Sequence, residues 1–167
     1  MLNESAAVFI GLGLTAIGLF YAGYQIYISR KVARGEFLLH LDEILQQHDD
    51  THIRLRPGGN WANSKSGPKS NKEWVAVERY MGLFERVNIL VEDKIIDIDT
   101  IYRLYGYRVI NISENEKIRQ FKLEKESRSW EDFIRLRDKI IQIHKYHSTW
   151  WYKTLRFFHL VWITFRL

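Results

Sequence analysis

The chain has 167 residues and a formal charge of +5, the size of one domain plus an appendage. It contains no Cys, which excludes disulfide scaffolds, thiolate metal sites and cysteine nucleophiles. Two Pro and ten Gly exclude a collagenous or low-complexity chain, and a hydrophobic content of 46% argues against disorder.

The first element is apolar. Ala6 to Ile28 reads AAVFIGLGLTAIGLFYAGYQIYI, without a charge. As a helix it would be roughly 35 Å long, enough to cross a hydrocarbon core with some tilt. Tyr21, Tyr24 and Tyr27 close it as an interfacial belt would. A cleaved signal peptide wants a basic leader and a shorter apolar run, whereas Met-Leu-Asn-Glu-Ser precedes this one. Residues 1–29 are therefore expected to be a retained, single-pass transmembrane anchor. Arg30, Lys31 and Arg34 follow it and are expected at the membrane interface. Their position puts the amino terminus outside and the rest in the cytoplasm.

Small residues mark one side of that helix. Gly11, Thr15, Gly18 and Ala22 are spaced four, three and four apart. Such a face lets two spans approach closely, so a homo-oligomer through it is one expectation. The general abundance of Gly in membrane helices is the other.

All 25 Lys and Arg, and 19 of the 20 acids, lie beyond Ser29, a formal +6. Part of that excess suits anionic lipid. The bases are interspersed with acids, as in Glu124-Lys125-Glu126, which is the look of solvated helix faces, and no nucleic-acid partner is expected.

Residues 30–147 read as a cytoplasmic helical bundle. Arg30 to about Leu55 carries Phe37, Leu38, Leu41, Ile44, Leu45, His48 and His52 at helical spacing. Pro57-Gly58-Gly59 stops it and opens a loop over 57–72, in which Trp61 is expected to tuck into the core. Glu73 to about Lys94 is the next helix, capped by Ser70 or Asn71, with Trp74, Val77, Met81, Phe84, Asn88 and Val91 as its inner stripe. Asp97 or Asp99 opens another, which Gly106 weakens or ends. Ser113 is expected to cap a short helix through Glu126. Ser129 and Asp132 resemble a capping box for a last bundle helix carrying Phe133, Ile140 and His144.

Residues 148–167 differ in kind. Lys153, Arg156, His159 and Arg166 occupy one side of a helical wheel, and Trp151, Leu155, Phe158, Val161, Trp162 and Phe165 the other. This is the pattern of a helix lying in the membrane interface, with Trp150 and Trp151 at headgroup depth. A last core helix of the bundle is the alternative. Three charges argue against a second span. The fold expected is all-α: one amino-terminal transmembrane helix, a small cytoplasmic bundle and a basic aromatic carboxyl-terminal helix.

Few residues suggest chemistry. His48 and His52 are four apart, share a helix face and, with Asp49 between them, could ligate a metal. A His-Asp metal phosphohydrolase would recruit His40 and a later Asp such as Asp97 or Asp138. Two half-buried histidines beside solvated aspartates are the plainer reading. Glu78, Glu85 and Glu92 recur every seven residues, with Arg79 and Arg86 beside them, and read as a solvated, ion-paired face rather than acid and base. His144 and His147 read as packing residues. No catalytic set converges, and no cofactor is expected.

Several stretches together resemble a group of uncharacterised bacterial proteins with one amino-terminal membrane helix and a Trp-containing helical cytoplasmic domain. They are Arg34-Gly35-Glu36-Phe37-Leu38-Leu39, Leu55-Arg56-Pro57-Gly58-Gly59 with Trp61, Glu78-Arg79-Tyr80-Met81-Gly82-Leu83-Phe84-Glu85-Arg86, Ile89-Leu90-Val91-Glu92 and Leu104-Tyr105-Gly106-Tyr107-Arg108. The likeness covers roughly residues 6 to 140 and is a pattern of helix faces. It implies a bacterial inner-membrane protein and brings no activity with it.

The function expected is that of a membrane-anchored, non-enzymatic interaction or scaffold protein, binding a protein partner or itself at the cytoplasmic face of the lipid bilayer. A metal-dependent phosphohydrolase built on His48, Asp49 and His52 is one alternative. A membrane-perturbing oligomeric effector using the aromatic tail is the other.

Overall fold

A computed structural model describes the backbone of residues 4–62 and 66–164, and side chains at 9, 11–62 and 66–147. Every regular element among the described residues is helical. The chain divides into two units, Met1–Ile44 and Leu45–Leu167.

Helix α1 runs without a break over Glu4–Gln46, 43 residues. The apolar run and the following amphipathic stretch are thus one helix, and Gly35 does not interrupt it. Its amino-terminal half is apolar on every side. Phe9 is 73% exposed and Phe20 82%, with Leu12, Ile17 and Tyr24 also exposed. By length and composition, Gly11–Gln46 can cross a membrane. A helix apolar all round belongs inside a protein core or a bilayer, and none of this one's spanning window is buried within the chain.

The expected single helix from Arg30 to Leu55 breaks once. A turn at Gln47 and His48 separates α1 from α2, Asp49–Leu55. The chain then folds back on α2: Gly59 N–H donates to the Arg56 carbonyl at 2.8 Å and Trp61 N–H to that of Arg54 at 2.8 Å. A side chain at Gly59 would meet the Arg54 carbonyl oxygen at 2.3 Å, so only Gly fits this approach. Trp61 is buried, as expected, with the Arg54 guanidinium 4.9 Å above its ring.

Three long helices make the bundle of the second unit. Helix α3, Asn71–Glu92, starts at a full capping box in which Ser70 and Glu73 satisfy each other's backbone N–H. Helix α4, Ile98–Glu114, is capped by Asp97, whose carboxylate accepts from the N–H of Asp99 and Thr100. Helix α6, Glu131–Thr164, packs against both. Between α4 and α6 lie a single helical turn, α5 (Glu116–Ile118), and a π-helical turn over Arg119–Glu124. The expected helix from Ser113 through Glu126 is therefore replaced by two short turns. Asn115 is their cap, and the Ser113 hydroxyl instead donates to the Val109 carbonyl.

The core follows the expected stripe of α3 and widens it. Val77, Met81, Phe84 and Asn88 are buried as expected, joined by Tyr80, Leu83 and Val87, while Trp74 and Val91 at the ends of that stripe are only half-buried. They meet Ile101, Val109 and Ile112 of α4 and Phe133, Leu136 and Ile140 of α6, all buried. Phe84 stands edge-on to Tyr80 and Phe133, with centroids 5.4 and 6.4 Å apart. Each such ring adds about 2–3 kcal/mol by leaving water. Gly106 does not end α4. It is buried where α4 crosses α6, and a side chain there would meet the Tyr102 ring at 2.9 Å and Ile140 at 3.5 Å.

Candidate functional site

The polar residues gathered where α2 meets α3 and α4 form the best-defined cluster. His48 precedes α2 and stacks on Tyr80 of α3 at 5.7 Å. His52, one turn on, has Nδ1 3.5 Å from the Tyr80 hydroxyl and stands edge-on to Tyr107 of α4 at 5.5 Å. Arg108 joins the set: Nη1 donates to the Tyr80 hydroxyl at 3.3 Å and Nε to the Tyr107 hydroxyl at 3.0 Å. Asp49 lies 3.8 Å from the same guanidinium.

Burial sets the electrostatics of this cluster. It pushes the Tyr80 phenol up to about 12, against the opposing pull of Arg108. Burial, with Arg79 nearby, lowers His48. Burial lowers His52 too, helped by Arg108 and Arg56 and opposed by Asp49. Both imidazoles are thus neutral at pH 7 and Tyr80 is a protonated phenol. The arrangement suits joining three helices through rings and shared hydrogen bonds, and it offers no phenolate nucleophile at that pH.

His48, Asp49 and His52 each have a neighbour on another helix. Both rings meet Tyr80, His52 also meets Tyr107, and the carboxylate faces Arg108. Among the described residues no three His, Asp or Glu side chains are grouped to hold a metal ion. The further acids considered are engaged elsewhere, Asp97 in capping α4 and Asp138 with Arg137. His40 pairs with Glu43 within α1 at 3.5 Å.

The heptad acids of α3 are exposed or half-buried, and each is engaged by another element. Glu78 goes to the π-helical turn, and Glu85 and Glu92 both go to α6. Glu78 pairs with the buried Lys122 of the π-helical turn at 2.6 Å. Glu85 accepts the Phe133 backbone N–H of α6, and burial followed by the nearby Asp132 raises its pKa. Glu92 holds Lys139 of α6 at 3.1 Å and is lowered by that bond. Asn88, fully buried between them, donates to Asp132 and accepts from Lys139, each at 3.0 Å. One backbone N–H in the first turn of α6 is thus satisfied from α3, by Glu85.

Sequence reasoning missed Tyr80, Asn115 and Lys122. Tyr80 sits one position before Met81 of the expected stripe, on a face wider than the three-and-four spacing counts. Asn115 precedes a short apolar turn, a cap signal that could have found it. Lys122 carries no signal of burial in its surroundings. Its ammonium also reaches Glu126 at 2.8 Å and lies 5.5 Å over the Trp74 ring.

Arg30, Lys31 and Arg34 lie on α1, just past the uncharged run. Gly11, Thr15, Gly18 and Ala22 lie on its exposed apolar part. The Thr15 hydroxyl donates to the Gly11 carbonyl at 2.8 Å, and a methyl group at Gly11 or Gly18 would meet nothing within 4 Å. The side chains of Trp150, Trp151, Lys153, Arg156 and Trp162 lie outside the described residues.

Comparison with protein-family profiles, curated proteins and solved structures finds no match to this chain.

Proposed function

We propose that this is a single-pass membrane protein whose helical cytoplasmic bundle binds a protein partner, or a second copy of itself, without catalysing a reaction. The observation that carries the reading is α1, whose apolar side chains stand exposed on every side over a length that suits a bilayer. In water such a surface would drive aggregation. In lipid it is satisfied, and the helix meets its own backbone hydrogen bonds.

Arg30, Lys31 and Arg34 support an orientation with the bundle on the cytoplasmic side, their charges facing anionic headgroups. The resemblance of the helix faces supports a bacterial inner membrane. The mutual engagement of His48, Asp49, His52, Tyr80 and Arg108 supports a binding module over a phosphohydrolase. The small-residue face of Gly11, Thr15, Gly18 and Ala22 is the surface through which two stems would pair.

A membrane two-hybrid assay of the full chain against itself tests the pairing. The expected result is a signal that falls in Gly18→Leu and survives in Gly18→Ala. An undiminished signal in Gly18→Leu removes the stem as the contact. A detergent-purified monomer with no co-purifying protein contradicts the interaction reading, and stoichiometric metal lost in His48→Ala replaces it with the phosphohydrolase.

A further inference from the structure

One apolar stripe runs along α6 and outlasts the bundle that covers its beginning. Phe133, Leu136 and Ile140 are its first members, buried against α3 and α4. His144 and His147 continue it at spacings of four and three, and both meet Tyr102 of α4: His144 Nδ1 is 3.1 Å from the Tyr102 hydroxyl, and the His147 ring stacks on Tyr102 at 5.6 Å. The two neighbouring helices then run out. Glu92, the last residue of α3, is level with Lys139, and Tyr102 lies little more than a turn from the start of α4 at Ile98. On the far side of α6, Tyr146 is already 70% exposed.

Helix α6 nevertheless continues to Thr164, about 25 Å beyond His147 at the helical rise. In that extension the sequence keeps the stripe in register. Trp151, Leu155, Phe158 and Trp162 follow His147 at four, four, three and four. The other side of the wheel carries Lys145, Lys153 and Arg156, and no acid occurs after Asp138. The rest of the chain mixes both signs, so this segment holds most of the net positive charge.

We infer that the carboxyl-terminal extension of α6 is an arm that lies on an anionic bilayer surface, its aromatic stripe at the headgroup boundary and its bases against lipid phosphates. Charge complementarity selects this occupant. A basic segment without acids has its partner in an anionic leaflet, where each Lys or Arg contributes roughly 1 kcal/mol, and Trp is favoured at that depth. The stripe that holds α6 to the bundle also fixes which side of the arm is apolar. The inference rests on the membrane reading above and adds a second attachment to it.

Tryptophan fluorescence tests the arm directly, because residues 1–60 contain no Trp and the stem is silent. The full chain is reconstituted in vesicles of phosphatidylcholine, with or without phosphatidylglycerol, carrying lipids brominated near the headgroup or at the chain end. The expected result is strong quenching by headgroup-proximal bromine, increased by phosphatidylglycerol. That quenching should be lost when Trp150→Phe, Trp151→Phe and Trp162→Phe are combined. Lys153→Gln with Arg156→Gln should remove most of the phosphatidylglycerol-dependent part. Quenching unchanged in the triple Trp variant, or indifferent to phosphatidylglycerol, overturns the inference. Stronger quenching from the chain end replaces the arm with a second span. Failure of the stem to span would show separately, as release of the chain from membranes by alkali.

Discussion

Lys94 adopts a positive φ of 57°, a conformation that costs a residue with a side chain about 1 kcal/mol. The reason lies in the end of α3. Lys94 N–H donates to the Val91 carbonyl and Ile95 N–H to that of Leu90, at 3.1 and 3.0 Å, the reverse turn that usually recruits Gly. Lys94→Gly should therefore stabilise the fold by up to about 1 kcal/mol, less the extra entropy of Gly in the unfolded chain; urea titration measures it, and a loss of stability contradicts the assignment. Asn115 is the opposite case, fully buried and engaged on both sides of its amide. It donates to the carbonyls of Trp61 and Ser66 and accepts the Ile118 N–H, between 2.7 and 3.0 Å. Asn115→Ala would strand those groups at a cost of about 2–3 kcal/mol, read as a lower urea midpoint. The Trp61 fluorescence should report the freed loop.

At the scale of elements, what the sequence made legible was the periodic part. The stripe of Val77, Met81, Phe84 and Asn88, the Ser70 cap and the Asp97 start all follow from apolar spacing and cap chemistry, which are local. What was illegible depended on neighbours. Nothing local says that the helix from Arg30 breaks at His48, because the break serves to bring His48 and His52 onto Tyr80. Gly106 reads as a helix breaker until Tyr102 and Ile140 are seen closing over it. Glu85 reads as surface until α6 presents a backbone N–H to it. The α2 junction also carries a pH prediction. His48 and His52 bind protons less readily folded than unfolded, so the unfolded chain gains protons first as pH falls. Their contribution is complete above the ordinary imidazole value of 6.5 and declines as pH drops below it. The Tyr80→Phe variant keeps the burial and so keeps most of this slope. His48→Gln with His52→Gln should flatten urea midpoints measured from pH 7.5 down to about pH 5. An unchanged slope in that double variant would sink the assignment.

At the scale of the whole molecule, two features stand out: one helix from Glu4 to Gln46 whose first half is apolar, and a bundle in which the candidate metal residues are engaged by other helices. The candidate metal trio was legible as a spacing, but its engagement by Tyr80, Tyr107 and Arg108 comes from helices 28 or more residues away, beyond the reach of any local pattern. The apolar run was legible, because length and the absence of charge over residues 5–29 are properties of the sequence itself, whereas the end of its helix at Gln46 was not. Alkaline carbonate extraction of membranes from cells making the full chain tests that stem most directly. The intact chain should stay in the membrane pellet and leave it only with detergent; recovery of the intact chain in the carbonate supernatant would show that the helix does not span.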